Sequence, residues 1–282
     1  MAYNKDLLKE YLTKKAAEGW AAFEKSGAYG SFKFDLIMSY INQFLPPENS
    51  LILDLGIDPG NYAVKIAQAN RRLTIGDLSE SQLEITRNKF DKYKLSSQIE
   101  QFAILDELID LSIFEENSFD MVLCLSGTLS FTCEERSKMI KEIVRVTKIG
   151  APIILAVKGK APYFKEIIRE LEMDKLEEPN KAGLWQMLET GYKQHEEYPG
   201  EPAYYGFTGQ EITELLENNN IEILEIAGIG SIISNMYLQL EKIRENDEIW
   251  NDVFRIEKEL QTMPGLWDAG EEILVVGRKK LI

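Results

Sequence analysis

Residues 51–60 read Leu-Ile-Leu-Asp-Leu-Gly-Ile-Asp-Pro-Gly. An apolar run ends in an acidic residue, a glycine loop follows, and a helical pattern begins near Asn61. That order describes a strand whose carboxyl end turns tightly into a helix, with backbone N–H groups left pointing into the turn. Open α/β sheets bind nucleotide-like ligands at such a place. The loop lacks the full G-x-G-x-x-G spacing of a dinucleotide fold. It also lacks the Lys-Ser/Thr ending of a triphosphate-binding loop. Asp58 stands where most such loops carry a glycine.

The pattern around this loop predicts an α/β fold. Residues 3–45 are helical and rich in aromatics, and Pro46-Pro47 ends them. Strands are expected at Leu51–Leu55, Arg72–Gly76, Ile99–Ile104, Phe119–Leu125 and Pro152–Val157. Helices are expected at Asn61–Asn70, from Glu80 to about Tyr93 with Ser79 as N-cap, and at Glu134–Thr147. Continuous apolar strands such as Met121–Leu125 belong to a sheet covered on both faces. The alternation implies a doubly wound, Rossmann-like, mostly parallel sheet with right-handed crossovers. After Gly159 the rhythm breaks and resumes with a helix at Gly209–Asn218, a strand at Ile221–Ile226 and a last strand at Glu271–Gly277. The expected organisation is a helical arm over 1–45, a ligand-binding core over 46–159 and 207–282, a helical insertion within it at 231–265, and a lid over 160–206.

The chain has 282 residues and a formal net charge of -15. That acidic balance argues against a nucleic-acid partner, which needs clustered Lys and Arg. No segment has the apolar length of a membrane span. The two cysteines, Cys124 and Cys133, have neither metal nor disulfide spacing, and no metal is expected. With no apolar signal region in Met1–Lys15, a cytoplasmic location is expected. Asp77 ends the second strand about 20 residues past the loop, where a carboxylate can accept hydrogen bonds from both hydroxyls of a ribose. The plainer role for Asp77 is capping of the helix after Leu78.

At this point the chain resembles the class I S-adenosylmethionine-dependent methyltransferases. The resemblance rests on Asp54-Leu-Gly, the helix start Gly60-Asn-Tyr-Ala, Gly76-Asp-Leu-Ser79, Asp110-Leu-Ser112, Asn117 to Leu125, Arg145 to Gly150 and Phe207 to Ile212, in the family's order. It implies a seven-stranded sheet and S-adenosylmethionine as cofactor, with S-adenosylhomocysteine as product. By resemblance, the backbone of Gly56 and Ile57 faces the methionine part, with Gly60 closing the loop and Asp54 organising it. Asp77 holds the ribose, and Leu78 lies against the adenine. Glu107, or Asp106 with a one-residue slip, meets the adenine amino group, and the Leu108 N–H lies near the ring. Leu125 and Ser126 line the cleft, and Leu125 also packs the core.

Two departures from the family bear on catalysis. Asp58 replaces the usual small glycine. Aspartate tolerates positive φ better than most residues, and its carboxylate would be drawn to the cofactor's ammonium or sulfonium. Pro59 suits a first helical position. Close relatives often carry a Tyr-His pair after the fourth strand, whereas this chain reads Thr128-Leu-Ser-Phe131. His195 is the only histidine and, beside Glu196-Glu197, reads more readily as a surface residue than as a base. Asp58 and His195 are thus the catalytic candidates. Methyl transfer from a sulfonium can nonetheless run on alignment and exclusion of water.

For the acceptor, Trp20, Phe23, Tyr29 and Trp185 are the candidate contacts, set against simple packing of arm and lid. The expected function is methyl transfer to a small molecule or natural product, a modified peptide included, with N-methylation favoured over O-methylation. The competing readings are a non-catalytic binding protein that kept the fold and a nicotinamide-dependent oxidoreductase, against which the loop spacing argues. The sequence leaves the oligomeric state open.

Overall fold

The computed structural model describes residues 2–25, 27–170, 185–193 and 201–281. Its centre is a seven-stranded sheet in the order β3-β2-β1-β4-β5-β9-β8. The strands are β1 (Leu51–Leu55), β2 (Arg72–Asp77), β3 (Ile99–Ile104), β4 (Met121–Cys124), β5 (Pro152–Lys158), β8 (Ile221–Ile229) and β9 (Glu272–Lys279). The first five are parallel, and β9 runs antiparallel between β5 and β8. Strand β1 pairs with β2 on one side and β4 on the other, so the strand order reverses there and leaves a crevice at their carboxyl ends.

Alternation along each strand fills both faces. Leu53, Leu55, Val122, Cys124, Ile153 and Leu155 belong to one core, and Ile52, Met121, Leu123, Ile154 and Ala156 to the other. Helices α3 (Asn61–Gln68), α4 (Glu80–Lys92) and α5 (Arg136–Val146) follow β1, β2 and β4. Helix α5 buries Met139, Ile140, Ile143 and Val146, an apolar stripe at helical spacing. After β5 come α6 (Lys160–Glu170) and a small hairpin of β6 (Tyr192–Lys193) and β7 (Tyr204–Tyr205). Helix α7 (Gly209–Glu217) opens on a capping box: the Thr208 hydroxyl accepts from the Glu211 N–H, and the Glu211 carboxylate accepts from the Thr208 N–H.

The arm consists of α1 (Lys5–Lys25) and α2 (Gly27–Phe44). On α2, Phe32 is fully buried against Trp250 and Phe254, with ring centroids 4.9 and 5.4 Å away. Those two rings belong to α9 (Asp247–Leu260), which follows α8 (Tyr237–Ile243). The helical insertion expected over 231–265 thus holds two helices, because Asn246 caps a fresh start by accepting from the N–H groups of Glu248 and Ile249. The helix expected from Glu134 begins at Arg136, after a 3-10 stretch over Thr128–Glu135. The strand expected over Phe119–Leu125 narrows to Met121–Cys124, with Phe119 making an isolated bridge to Thr147. Among the described residues, no helix is long and apolar enough to cross a membrane.

Candidate functional site

The loop after β1 is held by its two outer glycines. Gly56 has φ of 120°, and a Cβ there would lie 2.1 Å from the Thr128 hydroxyl oxygen. Gly60 has φ of 80° and is the N-cap of α3. Asp58 needs no left-handed backbone, since the positive φ values of the loop fall on Gly56 and Gly60. This explains how an aspartate replaces the middle glycine. Its carboxylate turns toward α3 and accepts from the Asn61 N–H at 2.7 Å. It thereby binds a helix end rich in unpaired N–H groups. Pro59 is not the first helical residue, because Gly60 intervenes; its carbonyl accepts from the Lys89 ammonium at 2.7 Å. In Gly60→Ala the new Cβ would sit 2.4 Å from the Thr86 methyl. With the left-handed strain added, the variant should lose about 1–3 kcal/mol of stability, read as a lower Tm in thermal unfolding.

Two carboxylates stand at the strand ends beside this loop. Burial, with Asp58 nearby, pushes Asp54 up to about 8. Burial also pushes Asp77 up to about 8, against the pull of hydrogen bonds from the Ser79 and Leu78 backbone. Asp77 Oδ1 accepts from the Ser79 N–H at 2.6 Å, so the helix-capping role is present. Its other oxygen is buried with no partner among the described residues, as is the side-chain carbonyl of Gln82. The Gln82 amide donates to the Ile57 carbonyl at 3.4 Å, which places this residue of α4 against the loop. Two orphaned acceptors beside a glycine loop are what a ligand with paired hydroxyls would satisfy. The residues present therefore fit an S-adenosyl group. The sequence reading passed over Gln82, a polar residue in an ordinary helical pattern.

The expected adenine side is already in contact with the arm. Leu78 and Leu108 are buried. The Leu108 N–H donates to the Tyr3 hydroxyl at 3.2 Å, and Lys5 pairs with Glu107 at 3.2 Å. Thr13 and Ser79 share a hydroxyl hydrogen bond of 3.0 Å, so the Ser79 side chain faces α1 instead of capping α4. Asp106 is exposed. An adenine ring could reach the Leu108 N–H only after the Tyr3 hydroxyl moves.

The loop after β4 closes the crevice from the other side. Leu125 is buried, and Ser126 and Gly127 are consecutive left-handed residues with φ of 57° and 77°. Thr128 then accepts from the Ile57 N–H at 3.3 Å, joining the two loops. The Lys158 side chain lies against Gly127, and its ammonium sits 5.4 and 5.0 Å from the ring centres of Phe131 and Tyr204. Lys158 also lines a cavity of about 250 Å³ with Lys33, Tyr163, Lys165, Tyr204, Glu271 and Glu272. Lys33 is 3.1 Å from Glu271 and 3.7 Å from Glu272. Burial disfavours its charge, but the two carboxylates outweigh that and hold its pKa above the usual lysine range. Burial, with Asp58, Glu272 and Asp54 around it, also holds the Tyr62 hydroxyl protonated well above its ordinary range. Tyr62 therefore feels both the loop carboxylates and the cavity.

Of the expected acceptor contacts, Tyr29 is buried and donates its hydroxyl to Glu271, with its ring 4.5 Å from that of Tyr237 at the cavity wall. Trp185 is 63% exposed and does not line this cavity. Trp20 and Phe23 lie on α1, but their side chains fall outside the described set, and His195 lies outside the described residues. The sequence reading missed Lys33, Glu271 and Glu272, which carry no local motif.

A methyltransferase-domain family model matches residues 52–150. No curated protein matches the chain by sequence. Among solved structures, it is similar to an S-adenosylmethionine-dependent methyltransferase of Methanosarcina mazei, with 20% identity over 86% of this chain and 98% of that one and a TM-score of 0.56. It is also similar to a chain of the complex that contains the Haloferax volcanii methyltransferase activator, with 14% identity, 96% and 98% coverage and a TM-score of 0.58. The third is phosphoethanolamine N-methyltransferase 2 of Haemonchus contortus, with 16% identity, 86% and 52% coverage and a TM-score of 0.52. At these identities the likeness is one of fold. The chain carries a methyltransferase domain over residues 52–150, on the class I S-adenosylmethionine-dependent methyltransferase fold.

Proposed function

We propose that the protein methylates an amine on a small molecule, with natural products and modified peptides within the class. The observation that carries this reading is the acid corner of the cavity, where Glu271 and Glu272 bracket Lys33; Lys158 and Lys165 also line the cavity, so the two carboxylates act locally and not through a net negative lining. When bound, S-adenosylmethionine supplies a methyl on a sulfonium, so the acceptor's lone pair makes the new bond as the S–C bond breaks and sulfur keeps its electrons. Asp77 and the backbone around Gly56 would hold the cofactor, and Asp54 would face its ammonium. Glu271 and Glu272 would attract an ammonium acceptor and take up its proton. The Tyr29 hydroxyl, donating to Glu271, fixes the orientation of one of these carboxylates. The gain asked of the protein is chiefly alignment of the reacting atoms and exclusion of water. The Haemonchus contortus relative, an N-methyltransferase in complex with phosphomonomethylethanolamine, is in keeping with an amine reading.

O-methylation is the second reading, since the same carboxylates could take a proton from a hydroxyl. Incubation with S-adenosylmethionine and a panel of amines, phenols and carboxylic acids separates the two by the product's mass and fragmentation. The expected result is transfer to an amine. Tight S-adenosylhomocysteine binding in calorimetry with no transfer to any acceptor would overturn the enzyme reading in favour of a binding protein that kept the fold.

A further inference from the structure

An adenine edge presents an acceptor nitrogen beside an amino donor. The start of the arm presents the same pair of groups to the two residues expected to meet adenine. The Tyr3 hydroxyl oxygen accepts from the Leu108 N–H at 3.2 Å, where a ring nitrogen would accept. The Lys5 ammonium donates to the Glu107 carboxylate at 3.2 Å, where the amino group would donate. One short segment of this chain thus satisfies both groups at once. Burial pushes the Tyr3 hydroxyl up to about 12, so at neutral pH it accepts as an uncharged hydroxyl.

The segment can leave without unseating α1. Residues 2–4 precede the helix, and the Asn4 side chain caps it by accepting from the Leu7 N–H at 3.0 Å. Tyr3 therefore lies outside the helix, and Lys5 in its first turn. From Leu8 onward the helix is fixed. Leu8 and Leu12 are buried in the same core as Leu78 and Leu108, and Thr13 bonds Ser79 at 3.0 Å. Tyr3 and Lys5 also line a cavity of about 430 Å³, which leaves open volume beside them. The contacts to be broken are weak ones. One is a neutral hydrogen bond, and the other an ion pair whose side chains are 43 and 34% exposed.

We propose that residues 2–7 are an intramolecular competitor of the cofactor's adenine, with Tyr3 and Lys5 holding its place in the free protein and withdrawing when S-adenosylmethionine binds. This rests on the S-adenosyl reading of the site, in which Glu107 and Leu108 meet adenine by family resemblance. A site that is open for only part of the time binds with an affinity lowered by that fraction. Weakening the competitor should therefore tighten binding, whereas losing a cofactor contact or loosening the fold would weaken it.

The test is calorimetric titration of S-adenosylhomocysteine into the wild-type protein, Tyr3→Phe, Lys5→Ala and the double variant. Tyr3→Phe should tighten binding by about two- to tenfold, and Lys5→Ala by less, because its ion pair is half-exposed. Adenosine should gain by the same factor, since the competition is for the adenine end. A spin label on Ala2→Cys reads the motion directly, and the buried Cys124 and Cys133 leave that position selectively labelled. Its spectrum should sharpen when S-adenosylhomocysteine is added and residues 2–7 are released. Unchanged affinity in all three variants would overturn the competitor and leave the cofactor site standing. Weaker binding in the variants, or a spectrum that broadens or stays the same on adding ligand, would overturn it in favour of a segment that closes over the cofactor or keeps its place. No binding by the wild type or by any variant would overturn the cofactor site together with the competitor.

Discussion

Replacing Asp77 with Asn is expected to weaken S-adenosylhomocysteine binding by about 10- to 150-fold and, above neutral pH, to make the cofactor-free protein more stable. The two effects have one origin. The carboxylate is buried, one oxygen takes the Ser79 N–H, and the other has no partner among the described residues. Hydrogen bonds to a charged acceptor contribute about 1.5–3 kcal/mol each. Asparagine keeps an oxygen for Ser79 but offers an amide donor where a hydroxyl would have to donate, so the loss amounts to about one such bond. The gain in stability follows from the pKa. Folding lifts Asp77 from its ordinary value to about 8, so the folded protein holds a proton that the unfolded chain has released. Stability attributable to this group is therefore full below about pH 4 and declines as pH rises toward about 8. Asparagine mimics the protonated form at every pH. Calorimetry with S-adenosylhomocysteine and thermal unfolding of the apo protein at about pH 5 and about pH 9 check both halves. An affinity unchanged by the substitution would remove Asp77 from the cofactor site.

The contrast between Asp77 and the cavity shows what kind of feature a sequence displays. The strand, loop and helix around Gly56 are local, and Asp77 follows within one crossover, so pattern and spacing reveal them. Even there, backbone detail escaped. Asp58 stands at a glycine's place and is expected to tolerate a positive φ, yet the positive φ values fall on Gly56 and Gly60, while its own carboxylate holds the start of α3. The acid corner is a different case. Lys33 and Glu271 are 238 residues apart. They meet because β9 enters the sheet antiparallel between β5 and β8, which brings its amino end to the edge where β5 leaves off. No periodicity in either segment encodes that meeting. Glu257 is similar: it lies within the insertion expected only to be helical, yet its carboxylate is buried and accepts from the loop after β8. Aromatic richness was the least specific signal. Phe32 packs α2 onto α9, and Phe34 stacks on Tyr62, and neither lines the cavity, which Tyr29 meets only through Glu271 and Tyr237.

Cofactor binding should release protons near neutral pH and strengthen as pH rises from about 6 to about 8. Asp54 and Asp77 are both held at about 8 by burial, with neighbouring carboxylates adding to the shift. At about pH 7 most of each is protonated in the free protein. In the proposed site, an ammonium facing Asp54 and ribose hydroxyls donating to Asp77 would both favour the ionised form, so binding would lower the two pKa values and expel up to two protons. Linkage then requires affinity to rise by up to about tenfold per pH unit for each proton released, and to level off above about pH 8 where nothing is left to release. Titrating S-adenosylhomocysteine at a single pH in phosphate and in Tris, whose ionisation enthalpies differ, counts the protons directly. Asp77→Asn should remove one from the count, and Asp54→Asn the other. Identical enthalpies in the two buffers would mean that the carboxylates keep their protons in the complex. Asp77 would then act as a hydrogen-bond donor from a neutral carboxyl, and its exchange for asparagine would be nearly silent. The buffer experiment and the substitution therefore have to agree, because both report whether the orphaned oxygen of Asp77 is charged when the ligand arrives.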